Sequence, residues 1–313
     1  RLDHFRALPF VDDAVRERDP RLRCAALAAV SGFNEVQRFD RSVLALADPE
    51  PSVRAAAISN LEAIASRPAI VALAHHLGIE KRERLVWRIV GFLRALSGED
   101  HGLDADAWAA WAGKIQGPVS TGTGGVRPRP LGDTRVQLAG LTLISDRVCF
   151  LVDCSGSTWD TLVGGRSRKQ ILDEKLRAAL EALPEATRFN VVPYTGEPLP
   201  WEKALVPATK ANVARALAAF ERCHARGRGN YFDAVACALQ DPDVDSIVAL
   251  TDGVPTGGQR WNLDLMVELL VERNRLRHVA FDSILVDAPR SRVAQWNSLA
   301  QRTSGRCIEV KLE

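Results

Sequence analysis

Two periods of hydrophobic and polar positions divide this chain. Through residues 1–115, apolar residues recur at helical spacing in stretches rich in Ala, Leu and Arg. From residue 148 onward, short unbroken apolar runs alternate with amphipathic stretches. The runs predict strands over 148–152, 188–194, 199–205, 246–251, 279–286 and 306–312. The stretches between them predict helices over 168–183, 210–223, 230–240, 262–276 and 291–302. Alternating strands and helices imply an α/β fold, a doubly wound and mainly parallel sheet. Right-handed crossovers bring the carboxyl ends of its strands to one rim. An all-α domain precedes it. The stretch between, 116–145, reads as a Gly/Pro-rich linker (117–132) followed by an extra strand or hairpin at 136–144.

Within the helical half, D-P-R-L-R-C-A-A-L-A-A-V (19–30) and D-P-E-P-S-V-R-A-A-A-I-S-N-L (48–61) resemble each other. In each, Asp-Pro is read as a helix start, with the carboxylate as cap and Pro in the first turn. A third unit is expected over 68–97, and a closing helix over 96–112 capped at Asp104 or Asp106. A recurrence of this length is the mark of stacked helical hairpins. The pattern resembles HEAT repeats, whose second helix carries D-P-x-x-x-V-R-x-x-A. The neighbours His75 and His76 diverge on a helix and are read as solvated or core residues rather than metal ligands. Trp108 and Trp111 share a helical face and are read as a packed end-cap rather than a binding stripe.

The chemistry lies at the ends of two strands. V-C-F-L-V-D-C-S-G-S-T (148–158) stops an apolar run at Asp153, and S-I-V-A-L-T-D-G (246–253) stops another at Asp252. Ligands of open α/β sheets bind outside the carboxyl ends of strands, where the strand order reverses. If these two strands are neighbours, Asp153, Ser155, Ser157 and Asp252 converge on one small volume. Two crowded carboxylates repel unless a cation separates them. An all-oxygen set with neutral hydroxyls suits a hard ion, Mg²⁺ first, with Mn²⁺ or Ca²⁺ as alternatives. The competing reading is a capped turn made by Asp and Ser side chains, which leaves Asp252 unaccounted for.

D-C-S-G-S at one strand end and L-T-D-G at a later one resemble the metal-ion-dependent adhesion site of von Willebrand factor A (VWA) domains. The resemblance covers about residues 146–313. It implies a Rossmann-like sheet and a metal held by Asp153, Ser155, Ser157 and Asp252, the two serines directly. It also implies a threonine from a middle loop, where the family has G-G-T-N. This chain has Gly227-Arg228-Gly229-Asn230, so Gly229 stands in the threonine's place and one ligand falls to water or to Asn230. The neighbouring A-R-G-R-G-N (225–230), preceded by Arg222 and His224, places Arg226 and Arg228 near the rim. They are read as a solvated run or as a grip on an acidic partner.

Composition narrows the function. With 313 residues, 46% hydrophobic and 26% charged, the chain accommodates two soluble domains. A formal net charge of +2 offers no field for nucleic acid or anionic membrane. No apolar stretch is long enough to span a bilayer, and the opening R-L-D-H-F-R-A-L lacks a signal-peptide shape. Six scattered cysteines without C-x-x-C point to a reducing, cytoplasmic setting and away from structural zinc. Catalytic readings fail in turn. Ser155 replaces the second carboxylate of a D-x-D phosphatase, D-C-S-G-S is not G-x-S-x-G, and 164–170 lacks G-K-[ST]. The expectation is a non-enzymatic protein-binding scaffold that engages an Asp or Glu of a partner protein through the metal. Two alternatives stand beside it. Helical repeats before a VWA domain also resemble Ro ribonucleoproteins, which bind RNA, and bacterial VWA proteins often accompany AAA+ ATPases.

Overall fold

A computed structural model of the chain describes residues 4–116, 136–159, 165–223 and 226–311. The Gly/Pro-rich stretch 117–132 and His224 lie outside the described residues. The chain divides into two compact units, residues 1–131 with 276–278, and residues 132–275 with 279–313.

The first unit contains helices α1 (His4–Ala14), α2 (Pro20–Val30), α3 (Glu35–Ala45), α4 (Pro51–Ile64), α5 (Arg67–Leu77), α6 (Glu83–Ser97) and α7 (Ala105–Gly113). Its core is built from Ala and Leu, with Cys24, Leu27, Val30, Ala57, Ile58 and Leu61 almost fully enclosed. The small side chains let neighbouring helices approach closely. The two similar stretches share their wiring as well as their letters. Arg23 makes a two-pronged pair with Asp48 and donates to the carbonyls of Glu17 and Arg18. Arg54 does the same with Glu80 and with the carbonyls of Asp48 and Pro49. Each arginine thereby ties its own helix start to an acid further along the chain.

That wiring corrects one expectation. Asp19 caps α2 by accepting from the Arg21 amide at 2.9 Å. Asp48 does not cap α4, which starts only at the second proline, Pro51, after Glu50. The Asp48 carboxylate is instead held by Arg23, and Pro51 at the first helical position leaves one fewer amide to satisfy there. His75 is exposed, whereas His76 is buried and lies 3.0 Å from Glu80. α7 is capped by Asp104, and Trp108 is fully enclosed with its indole N–H on the Gly102 carbonyl.

Burial alone would raise the pKa of Glu80, but donors from His76, Arg54 and the Arg82 amide reverse this and hold it well below the usual range. Arg54→Met strands that enclosed carboxylate. The expected loss of stability is about 3 kcal/mol, read as a lower urea midpoint, while a change near zero would mean that the pair carries no stability.

The second unit begins with a hairpin of β1 (Gln137–Leu138) and β2 (Leu141–Thr142). There follow β3 (Arg147–Asp153), α8 (Arg168–Glu181), β4 (Arg188–Tyr194), β5 (Val206–Pro207), α9 (Lys210–Glu221), α10 (Tyr231–Ala238), β6 (Ser246–Thr251), α11 (Leu263–Asn274), β7 (Ala280–Val286), α12 (Arg290–Arg302) and β8 (Cys307–Val310). The sheet order is β5-β4-β3-β6-β7-β8, parallel throughout except for β5. β3 and β6 are hydrogen-bonded neighbours, with Val152 opposite Leu250. The chain winds from β3 to β4 on one side and from β6 to β7 on the other, so the order reverses between β3 and β6. Alternation along β3 sends Val148, Phe150 and Val152 to the face covered by α8 and α9. Cys149 and Leu151 face α10, α11 and α12. The fold is the α/β class read from the sequence, a doubly wound and mainly parallel sheet, preceded in the chain by helices.

The predicted strand over 199–205 does not form. Pro198 and Pro200 have no N–H to give, so the ladder to β4 is interrupted, and the Leu199 and Trp201 amides donate to Pro193 and Val191. The Asn190 side chain then binds both the amide and the carbonyl of Glu202. The register slips across this loop, and regular pairing resumes only at β5.

Candidate metal centre

At the point where the strand order reverses, two loops face each other. One leaves β3 as Asp153-Cys154-Ser155 and tightens into a 3-10 turn, Gly156–Trp159. The other leaves β6 as Thr251-Asp252-Gly253, and Gly253 takes φ +77, a conformation that favours glycine. A Cβ on Gly253 would also stand 3.1 Å from that of Ala288.

The four side chains singled out in the sequence meet here. Ser157 Oγ donates to Asp252 Oδ2 at 2.5 Å, and Ser155 Oγ lies 3.3 Å from Ser157 Oγ. Asp153 Oδ1 accepts from the Ser155 amide at 2.8 Å, and Asp153 Oδ2 accepts from the Thr251 hydroxyl at 2.7 Å. Asp153, Ser155 and Asp252 are buried, while Ser157 is half-buried. Among the described residues neither carboxylate pairs with Lys or Arg. Burial, reinforced by the charge of Asp252, pushes the Asp153 carboxyl up to about 6 despite the donors from Ser155 and Thr251. A buried pair of acids without a compensating cation is costly. Among the described residues no three His, Cys, Asp or Glu side chains form a metal-binding group. The donors here are two carboxylates and two hydroxyls, a set that fits a small hard divalent cation.

Gly229 lies against this cluster. A Cβ there would stand 3.4 Å from Asp153 Oδ1 and 3.5 Å from Ser155 Oγ, at ordinary contact and with no backbone strain. A side chain at 229 would therefore reach the site. Asn230 is engaged elsewhere: its carbonyl oxygen caps α10 by accepting from the Asp233 amide, and its amide donates to Gly196 O and Asp233 Oδ2. Backbone bonds fix the surrounding loops, from Gly156 N to Gly227 O at 2.8 Å and from Thr256 N and Gly257 N to Gly229 O. Arg226 is exposed with its guanidinium 4.4 Å from the Trp159 ring centroid, and Arg228 is also exposed.

Three supporting residues escape the sequence reading. Thr251 orients Asp153, as described, and Tyr194, buried at the end of β4, is hydrogen-bonded to Thr251. Burial holds the Tyr194 phenol well above its usual range, so it remains a neutral donor. Arg168 donates to the Ser157 carbonyl at 3.3 Å and to Asp287 at 2.9 Å. Asp287, just beyond β7, has φ 51, a strained backbone held at the rim. The letters T-D-G mark Thr251 as adjacent to the site, but nothing local in N-V-V-P-Y or R-K-Q-I signals the other two.

No family model matches the chain. Over 132 residues it is 33% identical to inter-alpha-trypsin inhibitor heavy chain H4 of Homo sapiens, a match covering 38% of this chain and 14% of that protein. The Mus musculus heavy chain H4 is 32% identical over 131 residues, covering 38% and 13%. The Mus musculus heavy chain H2 is 30% identical over 128 residues, covering 37% and 13%. The chain thus matches only a small part of the length of these relatives. Among solved structures, von Willebrand factor type A from Catenulispora acidiphila aligns with TM-score 0.43 and 20% identity, over 54% of this chain and 39% of that one. The SpRpn10 VWA domain aligns with TM-score 0.40 and 15% identity, over 53% and 88%. The second unit is an α/β fold built on a mainly parallel sheet, with its acidic strand ends at the reversal of strand order. Among the described residues no helix is long and apolar enough to cross a membrane.

Proposed function

We propose that this chain is a non-enzymatic protein-binding scaffold whose VWA-like unit engages an acidic group of a partner protein at a divalent metal, Mg²⁺ first. The reading rests on one observation above all: Asp153 and Asp252 share a buried pocket with Ser155 and Ser157, and no described Lys or Arg neutralises them. A divalent cation there supplies a Lewis-acidic anchor for a partner's Asp or Glu. Asp153 and Asp252 balance its charge, and the two serines offer neutral oxygens. Thr251 and the Ser155 amide hold Asp153 in place. Arg226 and Arg228, exposed on the loop beside the site, attract the partner's acid. The first unit, read as HEAT-like repeats, adds an extended docking surface. The six free cysteines fit a reducing, cytoplasmic setting.

The test is calorimetric titration of Mg²⁺ and Mn²⁺ into the purified chain and into Gly229→Thr. One saturable site is expected, tightened by roughly tenfold in the variant, which is the worth of ~1.4 kcal/mol for a restored neutral ligand. Absence of any saturable site in both proteins would defeat the reading.

A further inference from the structure

The rim of the site carries an aromatic side chain that the fold does not use. The loop leaving β6 runs from Asp252 to Asn262, where α11 begins, and in a parallel βα unit that helix starts on the same rim as the strand ends. The loop is held against the 227–230 loop on its way. Thr256 N and Gly257 N donate to Gly229 O, and a Cβ on Gly257 would fall 2.6 Å from Arg228 O. Arg260 stacks over the ring of Phe232, in the first turn of α10, at 4.7 Å. The next residue, Trp261, is 58% exposed, and Leu265, on the first turn of α11, is 54% exposed. Both stand on a pinned loop and a capped helix, so their exposure is built in, since Asn262 caps α11 through the Leu265 amide at 3.1 Å. A large aromatic left in water beside exposed arginines has the composition of an interface hot spot.

We infer that Trp261 and Leu265 form an apolar subsite of the partner-binding rim, and that the partner is a peptide segment pairing an acidic residue with a neighbouring apolar or aromatic one. The inference rests on the proposed metal-dependent reading and names the partner's second determinant. Charge sets the orientation. Arg226 and Arg228 are exposed on the loop whose Gly229 lies against Asp153, Arg260 is exposed on the loop bonded to it, and among the described residues Arg228 has no carboxylate partner. Asp264, exposed between Trp261 and Leu265 in the sequence, repels an acid on that side. The acid of the segment therefore goes to the metal and arginine side, and its apolar neighbour goes to the indole.

The experiment pans a phage-displayed library of random peptides on the full chain in Mg²⁺. The enriched peptides are then synthesised and titrated against the wild-type chain, Trp261→Ser, Trp261→Phe, Leu265→Ser and Asp153→Ala. Enrichment of an acid beside an aliphatic or aromatic residue is expected. Binding should weaken by roughly tenfold or more in Trp261→Ser, recover in Trp261→Phe and vanish in Asp153→Ala. Peptides that carry an acid alone and bind Trp261→Ser as tightly as wild type would overturn the apolar subsite while leaving the metal reading standing. Peptides without an acid, indifferent to Asp153→Ala, would overturn both.

Discussion

In the presence of EDTA, the stability of the second unit falls as pH rises from 4 to 7, and Asp153→Asn flattens that slope. The sign follows from the direction of the shift. The Asp153 carboxyl sits at about 6 in the folded chain against an ordinary 3.8. The folded state therefore holds this proton more tightly than the unfolded state does. Its contribution is fully present below 3.8 and is lost as pH climbs through 6. The difference corresponds to about 3 kcal/mol at neutral pH, large against the total stability of a domain. Burial is the main cause and Asp252 the second, so Asp252→Asn should reduce the slope without removing it. Urea midpoints of the second unit at several pH values in EDTA provide the check, and a flat profile for the wild-type chain would show that Asp153 is not held in such a pocket. Saturating Mg²⁺ should restore stability most at neutral pH, because metal and proton compete for the same carboxylate.

Asp153→Ala lowers Mg²⁺ affinity by roughly 10–100-fold, the cost of losing a carboxylate that holds the metal's shell in place behind the two serines. The same change removes the charge that Thr251 and the Ser155 amide are arranged to hold, leaving their donors without an acceptor. Asp252→Ala acts similarly and frees the Ser157 hydroxyl. Thr251→Val tests orientation separately. It keeps every proposed ligand but removes the donor to Asp153, so its effect on metal affinity should fall between wild type and Asp153→Ala. Calorimetry on the three variants at one pH ranks them, and equal affinity in Asp153→Ala and wild type would place the metal elsewhere.

The reversal of strand order is legible because two apolar runs, 148–152 and 246–251, end at carboxylates, and only buried central strands are apolar throughout. That alone brings Asp153 and Asp252 together in thought. The close approach of Gly229 is legible only through the family resemblance, since a glycine carries no chemical signal of its own. Tyr194 and Arg168 are not legible, because each comes to the site from an element whose local pattern is that of a plain strand or helix. The misread strand at 199–205 has a different origin. Its apolar residues mimic strand content, while Pro198 before it and Pro200 within it, which forbid a regular ladder, act only through missing hydrogen bonds. Asp48 shows the same limit in the helical unit: Asp-Pro signals a cap, but a distant arginine takes the carboxylate first.

Soaking crystals of the chain in Mn²⁺ and collecting anomalous diffraction addresses the site itself. A single peak in contact with the hydroxyls of Ser155 and Ser157, between Asp153 and Asp252, is the predicted result. No peak at that position under saturating Mn²⁺, with the four side chains ordered, would contradict the account.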